Sequence, residues 1–594
     1  MRFKSATTNG FQIFAVSGIN TISFAVQASV NARKRLLGFA VERVDRKENQ
    51  QYFMPGYKVF PSVIPHPDQN TQVSTYDHPV QSFVWDDFTA KPEREYTYFF
   101  YPLRGTPRNI DRGAVPIEIS VKTEPLYSQL EHDVFFNRGV ASSQAYSRRF
   151  KNLRPDQMPP EKAQEALNWL SRDLDDAILH FIRKAKTGDT LLCCFYEFRY
   201  RPVADEIRAA IDRGVDVKLI VDAKVNGKTD KRGQVHPSFP REDNLAMLAD
   251  AGIAADRFIL RRARPNDIQH NKFMVLLKGQ SKRPAEVWTG STNISMGGIH
   301  GQTNVGHWVR NADVALKYQA YWKLLSGDPG AKADDDAAET RRKNAAFRSA
   351  VEAIQAVPLT LDAIPEGITT IFSPRSGLKV LDLYVSLVAH AEASAFITLA
   401  FGVNKTFKEE LKENTPHSHI VFLMLEKKDK ASPRGRDAFV AINASNNVYK
   451  AWGSYLHEPI YQWTKETNAK ALKLNQHVSY VHSKFLLKDP LSDDPIVVTG
   501  SANFSDSSTN ANDENMIIIR GNQRVADIYF TEFNRIFNHY YFRSVSEATA
   551  DADHSASEAS LFLKEKAEEW QVKYQPGKLR QKRVNLFANM KGFV

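Results

Sequence analysis

Cysteine is nearly missing: the 594 residues hold two, Cys193 and Cys194, and these are neighbours. Adjacent cysteines rarely bridge, so a disulfide framework is excluded and a reducing compartment is expected. Long apolar runs are missing too, since nothing approaches the roughly 18 residues of a membrane span. Near the start, Ser17, Asn20, Thr21 and Ser23 interrupt what would have to be an unbroken secretory core. The expectation is a soluble, cytoplasmic protein. No Cys/His spacing matches a zinc site, so no metal and no other cofactor is expected. Acidic residues are in deficit, with Lys plus Arg at 79 against Asp plus Glu at 68, a net charge of +11. A basic surface suits polyanions such as nucleic acid, an anionic membrane or a phosphate-bearing substrate.

What is present is an ordinary globular mixture, 42% hydrophobic and 25% charged, long enough for roughly three to five domains. Residues 1–125 alternate in strand fashion, as in Leu37, Phe39 and Val41, and carry aromatic runs such as "SFVWDDF" and "YTYFFYPL" between turn signals. These features predict a β-sandwich, and the run from Trp85 through Tyr98 resembles a fibronectin type III module. From about residue 160 the period becomes helical, with Leu167, Leu170, Leu174, Ile178 and Phe181 in one predicted helix. Strands and helices then alternate, and a second pass repeats the order after about 210 residues. The fold class expected is α/β: two halves related by a pseudo-twofold axis, 126–335 and 336–545, behind an all-β sandwich at 1–125. Segment 326–344, "SGDPGAKADDDAAETRRKN", reads as a linker or exposed insertion. Residues 546–594 form a tail with a helical stretch and a basic end.

Each half carries His-x-Lys opening an apolar run, "HNKFMVLL" from His270 and "HSKFLLKD" from His482. Side chains at i and i+2 of a strand share a face, so His270 lies with Lys272 and His482 with Lys484. Each pair is followed by Gly-Ser-x-x-Asn, giving Ser291 and Asn293, then Ser501 and Asn503. Gly290 and Gly500 let the backbone pass close to a ligand. Two imidazoles, two ammonium groups and two amides suit a phosphodiester. The cations and amide donors neutralise phosphoryl oxygens, one neutral imidazole attacks phosphorus, and the other protonates the leaving oxygen. Beyond each asparagine, at the same offset, stand Glu514 in the second half and Asn304 in the first. The expectation is that Glu514 supports His482 as the proton-bearing acid, which leaves His270 as nucleophile. His236, His300, His307, His417 and His419 lack a paired pattern and read as structural or surface groups.

H-x-K-x4-D followed by G-S-x-x-N, present twice, resembles the phospholipase D superfamily over about 130–545. The second copy is complete, with His482, Lys484, Asp489, Gly500, Ser501 and Asn503; the first has Leu277 where the family has Asp. The resemblance implies halves packed about a pseudo-twofold axis and facing His-x-Lys motifs. It also implies metal-independent chemistry through a phosphohistidine, usually on the N-terminal motif, and a mainly structural role for Asp489. The function expected is a phosphodiesterase hydrolysing or transferring a phosphodiester, with a phospholipid preferred. The alternatives are a nuclease on DNA or RNA and, behind both, a non-catalytic scaffold. Basic clusters at 224–233, 261–264 and 427–436 are candidate contacts for a nucleic-acid backbone or anionic membrane. The sandwich is a candidate platform for a protein partner, and the mixed segment 132–151 is expected to line the cleft or cap the sheet.

Overall fold

The computed structural model of the chain describes residues 1–67, 71–139, 144–151, 153–230, 233–430, 440–453, 480–550 and 562–594. Its N-terminal part is mostly antiparallel β. One sheet runs in the order Arg2–Lys4, Phe11–Ser17, Ile22–Ala28, Val84–Asp87. The other runs Asn109–Asp111, Glu95–Thr106, Gly38–Asp45, Gln50–Phe53, and Ile117–Lys122 also pairs with Glu95–Thr106. Alternating residues of both sheets meet in one core, where the Phe24 ring lies 4.8 Å from Tyr98 and 5.5 Å from Phe100.

Two seven-stranded sheets follow, with the same strand order. The first is His132–Phe136, Val305–Val309, Arg283–Gly290, Lys272–Lys278, Thr190–Phe195, Asp216–Asp222, Phe258–Arg261. The second is Gly367–Ser373, Glu514–Arg520, Ile496–Gly500, Phe485–Lys488, Ser394–Leu399, Ile420–Leu425, Val448–Trp452. In each, three parallel strands sit beside an antiparallel meander. Central strands covered on both faces need continuous apolar sequence, and "TLLCCF" is buried at every position. Cys193 and Cys194 are free thiols on opposite faces of that strand, in two different cores. The equivalent helices Ala312–Ser326 and Gln523–Ala550, each after the last strand of its half, contribute Tyr318, Tyr321, Phe530, Phe533 and Phe537 to the core that joins the sheets. Among the described residues, no helix is long and apolar enough to cross a membrane.

Three elements depart from the sequence reading. The long helix expected over 161–186 is two, Pro160–Ser171 and Leu174–Arg183, because Arg172 leaves the helix at φ 52°. Its Nε donates to the Phe136 carbonyl at 2.9 Å, and its guanidinium meets Glu532 at 3.0 Å in a buried ion pair. The segment taken as a linker is half helical. Asp336 caps the helix Ala337–Ile354 by accepting from the backbone N–H groups of Ala338 and Glu339, and Asp328 bonds Arg261 at 2.8 Å. The tail, read as a helical stretch with a basic end, also packs into two cores. Trp570, Tyr574 and Val584 lie in the sandwich core, while Phe587 and Met590 lie in the core between the halves. The N-terminal strand is tied just as firmly: the buried Arg2 guanidinium donates to the carbonyls of Pro490, Leu491, Ser492 and Lys591 and to Asp527.

Candidate active site

Both His-x-Lys motifs stand at the mouths of their strands. Regular pairing begins at Lys272 in the first copy and at Phe485 in the second, because the histidines pair across the seam instead. His270 N–H donates to the Asp513 carbonyl at 2.9 Å, and His482 N–H donates to that of Thr303 at 3.2 Å. Bridges Gln269↔Asp513 and Thr303↔Val481 thus stitch each motif to the opposite half. The same-side relation of i and i+2 persists: Lys272 Nζ reaches back to the His270 carbonyl at 2.6 Å, and Lys484 Nζ to that of His482 at 2.7 Å. The two imidazole rings, one from each half, lie 6.5 Å apart.

Each ring is held from the other side of the seam. His270 Nδ1 lies 3.0 and 3.1 Å from the Glu514 oxygens, and Ser501 Oγ donates to Glu514 at 2.6 Å. His482 Nδ1 lies 2.9 Å from Asn304 Oδ1, to which Ser291 Oγ donates at 2.8 Å. The circuits match atom for atom except that one ends in a carboxylate and the other in an amide. The expected pairing of Glu514 with His482 is therefore corrected: Glu514 belongs to His270. The reason is topological, since the strand that presents Glu514 bridges to Gln269 rather than to its own motif. A short π-turn, Gly297–Gly301 or Ser507–Ala511, precedes each acceptor, a feature frequent at functional sites. The glycine expectation also changes. A Cβ on Gly290 would strike the Val305 carbonyl, and one on Gly500 that of Asn515, so both are needed for strand approach and not for a ligand.

Burial acts first on every charge here. It pushes both imidazoles well below the usual histidine range; Lys272, Lys484 and His482 add to this at His270, and Lys484 and Lys272 at His482. Burial lowers Lys272 to about 8, lowers Lys484 well below its ordinary value with help from Lys272, and raises Glu514 to about 8 against the pull of Lys272 and Ser501. The site therefore favours neutral imidazoles before an anion arrives.

The two asparagines of the repeated motif differ in surroundings. Asn293 Nδ2 donates to Glu197 at 2.8 Å, whereas Asn503 faces the same cavity without such a carboxylate. That cavity, about 830 Å³, is lined by both imidazoles and by Tyr196, Glu197, Arg199, His236 and Phe401. Four of these last five were not singled out from sequence, and His236 had been read as a structural or surface group. The available signal was the repeat itself: Tyr196 and Glu197 follow Thr190–Phe195 as Ala400 and Phe401 follow Ser394–Leu399. Asp489 caps a strand start, accepting the backbone N–H groups of Glu392, Ala393 and Ser394 at 2.8, 2.7 and 2.9 Å.

The basic clusters are used unevenly. Lys228 lines the cavity, but Lys224 is buried on Asp222 at 3.2 Å. Arg261 and Arg264 are buried on Asp513 at 2.8 and 3.0 Å, so they hold the seam and do not face a polyanion. Residues 231–232 of the first cluster and 431–436 of the third lie outside the described residues, as do 140–143 of the mixed segment, whose His132–Phe136 part is an edge strand. Among the described residues, no group of three or more His, Cys, Asp or Glu side chains could hold a metal ion.

Two similar α/β halves that each bring an imidazole and an ammonium group to one centre define a duplicated phosphodiester enzyme. The model of the family "Cardiolipin synthase, PLD-like domain" matches residues 178–325 and 386–537, and the chain belongs to this phospholipase D-like family. Among solved structures it is similar to phosphatidylserine synthase from Haemophilus influenzae Rd KW20, with 12% identity over 66% of this chain and 94% of that one and a TM-score of 0.42. It is also similar to yeast tyrosyl-DNA phosphodiesterase (11% identity, 66% and 90% covered, TM-score 0.30) and to Nuc from Salmonella typhimurium (24%, 25% and 84%, 0.19). No curated protein matches the chain.

Proposed function

We propose that this protein hydrolyses or transfers a phospholipid phosphodiester through a phosphohistidine on His270. One observation carries the reading. Two buried imidazoles 6.5 Å apart each anchor Nδ1 on the opposite half, and only the anchor of His270 is a carboxylate. With Nδ1–H given to Glu514, the Nε2 lone pair of His270 is free for phosphorus. The working form is the one with Glu514 ionised, a minor state at neutral pH while burial holds the group at about 8; as the N–P bond forms the ring becomes cationic and the ionised Glu514 supplies its counter-charge. Asn304 fixes the tautomer of His482 equally well but brings no charge, so protonated His482 releases its Nε2 proton readily to the leaving oxygen as the P–O bond breaks. Water or an alcohol then gives its proton back to His482, attacks phosphorus and frees His270. Burial first, and then the Lys484 and Lys272 charges, depress His482; the negative phosphodiester opposes the lysine part and so favours protonation of that ring when substrate binds. Lys272, Lys484, Asn293 and Asn503 neutralise or donate to the phosphoryl oxygens, while Ser291 and Ser501 orient the two acceptors.

The assignment of His270 as nucleophile thus stands on the reverse of the argument from sequence. The carboxylate supports the attacking ring and not the acid. A phosphodiester with a p-nitrophenyl leaving group needs no proton, which separates the two roles. With chelator present, His482→Ala is expected to release a burst of p-nitrophenolate equal to the enzyme and to retain acid-labile phosphate. His270→Ala is expected to give neither. Phosphoryl label on the His270→Ala protein would overturn the assignment, and faster turnover of DNA or RNA than of phospholipid micelles would overturn the substrate class.

A further inference from the structure

Glu514 and Asn304 hold matching places, but an amide needs a support that a carboxylate does not. A carboxylate accepts through either oxygen, and Glu514 takes the hydroxyls of Ser501 and Ser508 besides its imidazole. An amide has an acceptor end and a donor end, so it serves in one orientation only. Asn304 presents Oδ1 to His482 at 2.9 Å while its Nδ2 donates to the Gly298 carbonyl at 2.7 Å. Turned over, its NH2 would oppose the Nδ1–H of protonated His482 and favour the neutral tautomer that carries hydrogen on Nε2. That ring could neither form the cationic acid nor take a proton back at Nε2. The turn Gly297–Gly301, which presents the Gly298 carbonyl, therefore governs proton transfer by His482.

Asn137 grips that turn. It follows the edge strand His132–Phe136, is fully buried, and lies beside Asn304, its N–H 3.4 Å from the Asn304 carbonyl. Its Nδ2 donates to the Ile299 carbonyl at 2.9 Å and to the Gln302 carbonyl at 2.6 Å, and its Oδ1 accepts Asn304 N–H at 2.8 Å. Arg535, from the helix that closes the other half, donates to the Asn137 and Arg138 carbonyls at 3.1 and 2.8 Å and so fixes the backbone beneath. In the second half, strand register puts Ser373 opposite Glu514, and its Oγ donates to the Thr509 carbonyl at 3.0 Å. A side chain that braces the turn at several points thus stands under the amide, and a short hydroxyl under the carboxylate. We infer that Asn137 is a positioning residue for the general acid: it holds the turn so that Gly298 fixes Asn304, and Asn304 keeps His482 in the form that gives and takes the Nε2 proton. This rests on the reading of His482 as the acid given above. Asn137 touches no reacting atom, so its loss acts on proton transfer and not on attack by His270.

The test measures burst kinetics, by chemical quench, on methyl aryl phosphodiesters whose leaving group is p-nitrophenol or unsubstituted phenol. The first leaves without a proton and the second needs one. The burst rate constant reports formation of the phosphohistidine, and a smaller folded fraction lowers the burst amplitude without changing that constant. Asn137→Ala is expected to keep the p-nitrophenyl burst rate and to slow the phenyl burst by about tenfold or more, a part of the roughly 10²–10⁴ that a general acid supplies. It is also expected to slow the steady state on both esters, because His482 must take the proton of the attacking water. Asn137→Ser, which returns one donor as in Ser373, is expected to recover part of the phenyl rate. Ser373→Ala is expected to slow both esters by one common factor, since Glu514 serves the attacking ring. Equal slowing of the two bursts in Asn137→Ala, or an unchanged phenyl burst, would overturn the inference. The underlying reading fails separately: His482→Ala would then keep the wild-type ratio between the two esters, or wild type would turn over no phosphodiester.

Discussion

Glu514 and Asn304 sit at matching points of the two circuits, and the carboxylate makes its own circuit a thermodynamic burden. Burial raises Glu514 to about 8 from an ordinary 4.5, so the folded state holds a proton that the unfolded state has shed between those values. Stability is therefore lost as pH rises from about 4.5 towards 8. Glu514→Gln keeps the shape and removes the penalty. It is expected to raise the urea midpoint at pH 7–8, to give no gain near pH 4.5, and to slow turnover by tenfold or more. A midpoint that falls at pH 8 would show that the ionised carboxylate stabilises the fold. His270, Lys272, His482 and Lys484 were legible from sequence because spacing within a strand and repetition along the chain are one-dimensional. Which ring Glu514 serves was not, since its offset from Asn503 fixes a place in the repeat but says nothing about the direction a side chain takes across the seam.

At the scale of elements, the departure at Leu277 has a structural answer. Asp489 lies at the end of one strand and accepts from the start of its neighbour. In the first half the direction is reversed. Asp189, just before Thr190–Phe195, accepts Gly279 N–H at 2.8 Å and Lys278 Nζ at 2.9 Å at the end of the partner strand, and Lys186 N–H at 3.0 Å from its own turn. Leu277 is free to be apolar, 1% exposed, because the carboxylate comes from the other side. Burial pushes Asp489 up, but Lys488 and three backbone donors outweigh it and hold the group below its ordinary value. Its stabilisation is present above the ordinary carboxylate pKa and is lost as pH falls. Asp489→Ala is expected to lose about 3 kcal/mol at pH 7 in urea titrations, and Asp189→Ala about 1–2 kcal/mol, each with a smaller loss near pH 3. An unperturbed midpoint in Asp189→Ala would refute the exchange. The motif was readable as a string; a carboxylate that has changed strands leaves no fixed offset to read.

At the scale of the whole molecule, the doubled strand order was legible because each half repeats the same alternation of periods, and the tail was not. Its composition showed a helical stretch and a basic end but no docking face. Yet the Trp570 ring lies 5.0 Å from Phe83, its Nε1 donates to the Leu36 carbonyl at 3.0 Å, and the Tyr574 hydroxyl accepts from Phe83 N–H at 3.0 Å. These anchors are too few and too irregularly spaced to show a helical period, and the face they fill is missing from a sandwich that ends more than 400 residues earlier in sequence. Trp570→Ala is expected to destabilise the sandwich by about 3–5 kcal/mol and to speed proteolytic nicking within 1–125. Equal nicking in both proteins would mean that the sandwich core closes without the tail. The same docking sets an order on biosynthesis. The sandwich residues cannot complete their core until the segment around Trp570 and Tyr574, made after both halves, has followed. A nascent chain therefore carries an open aromatic seam throughout the synthesis of both catalytic halves, which makes it a client for chaperones and makes truncation ahead of Trp570 a lesion felt in the distant sandwich.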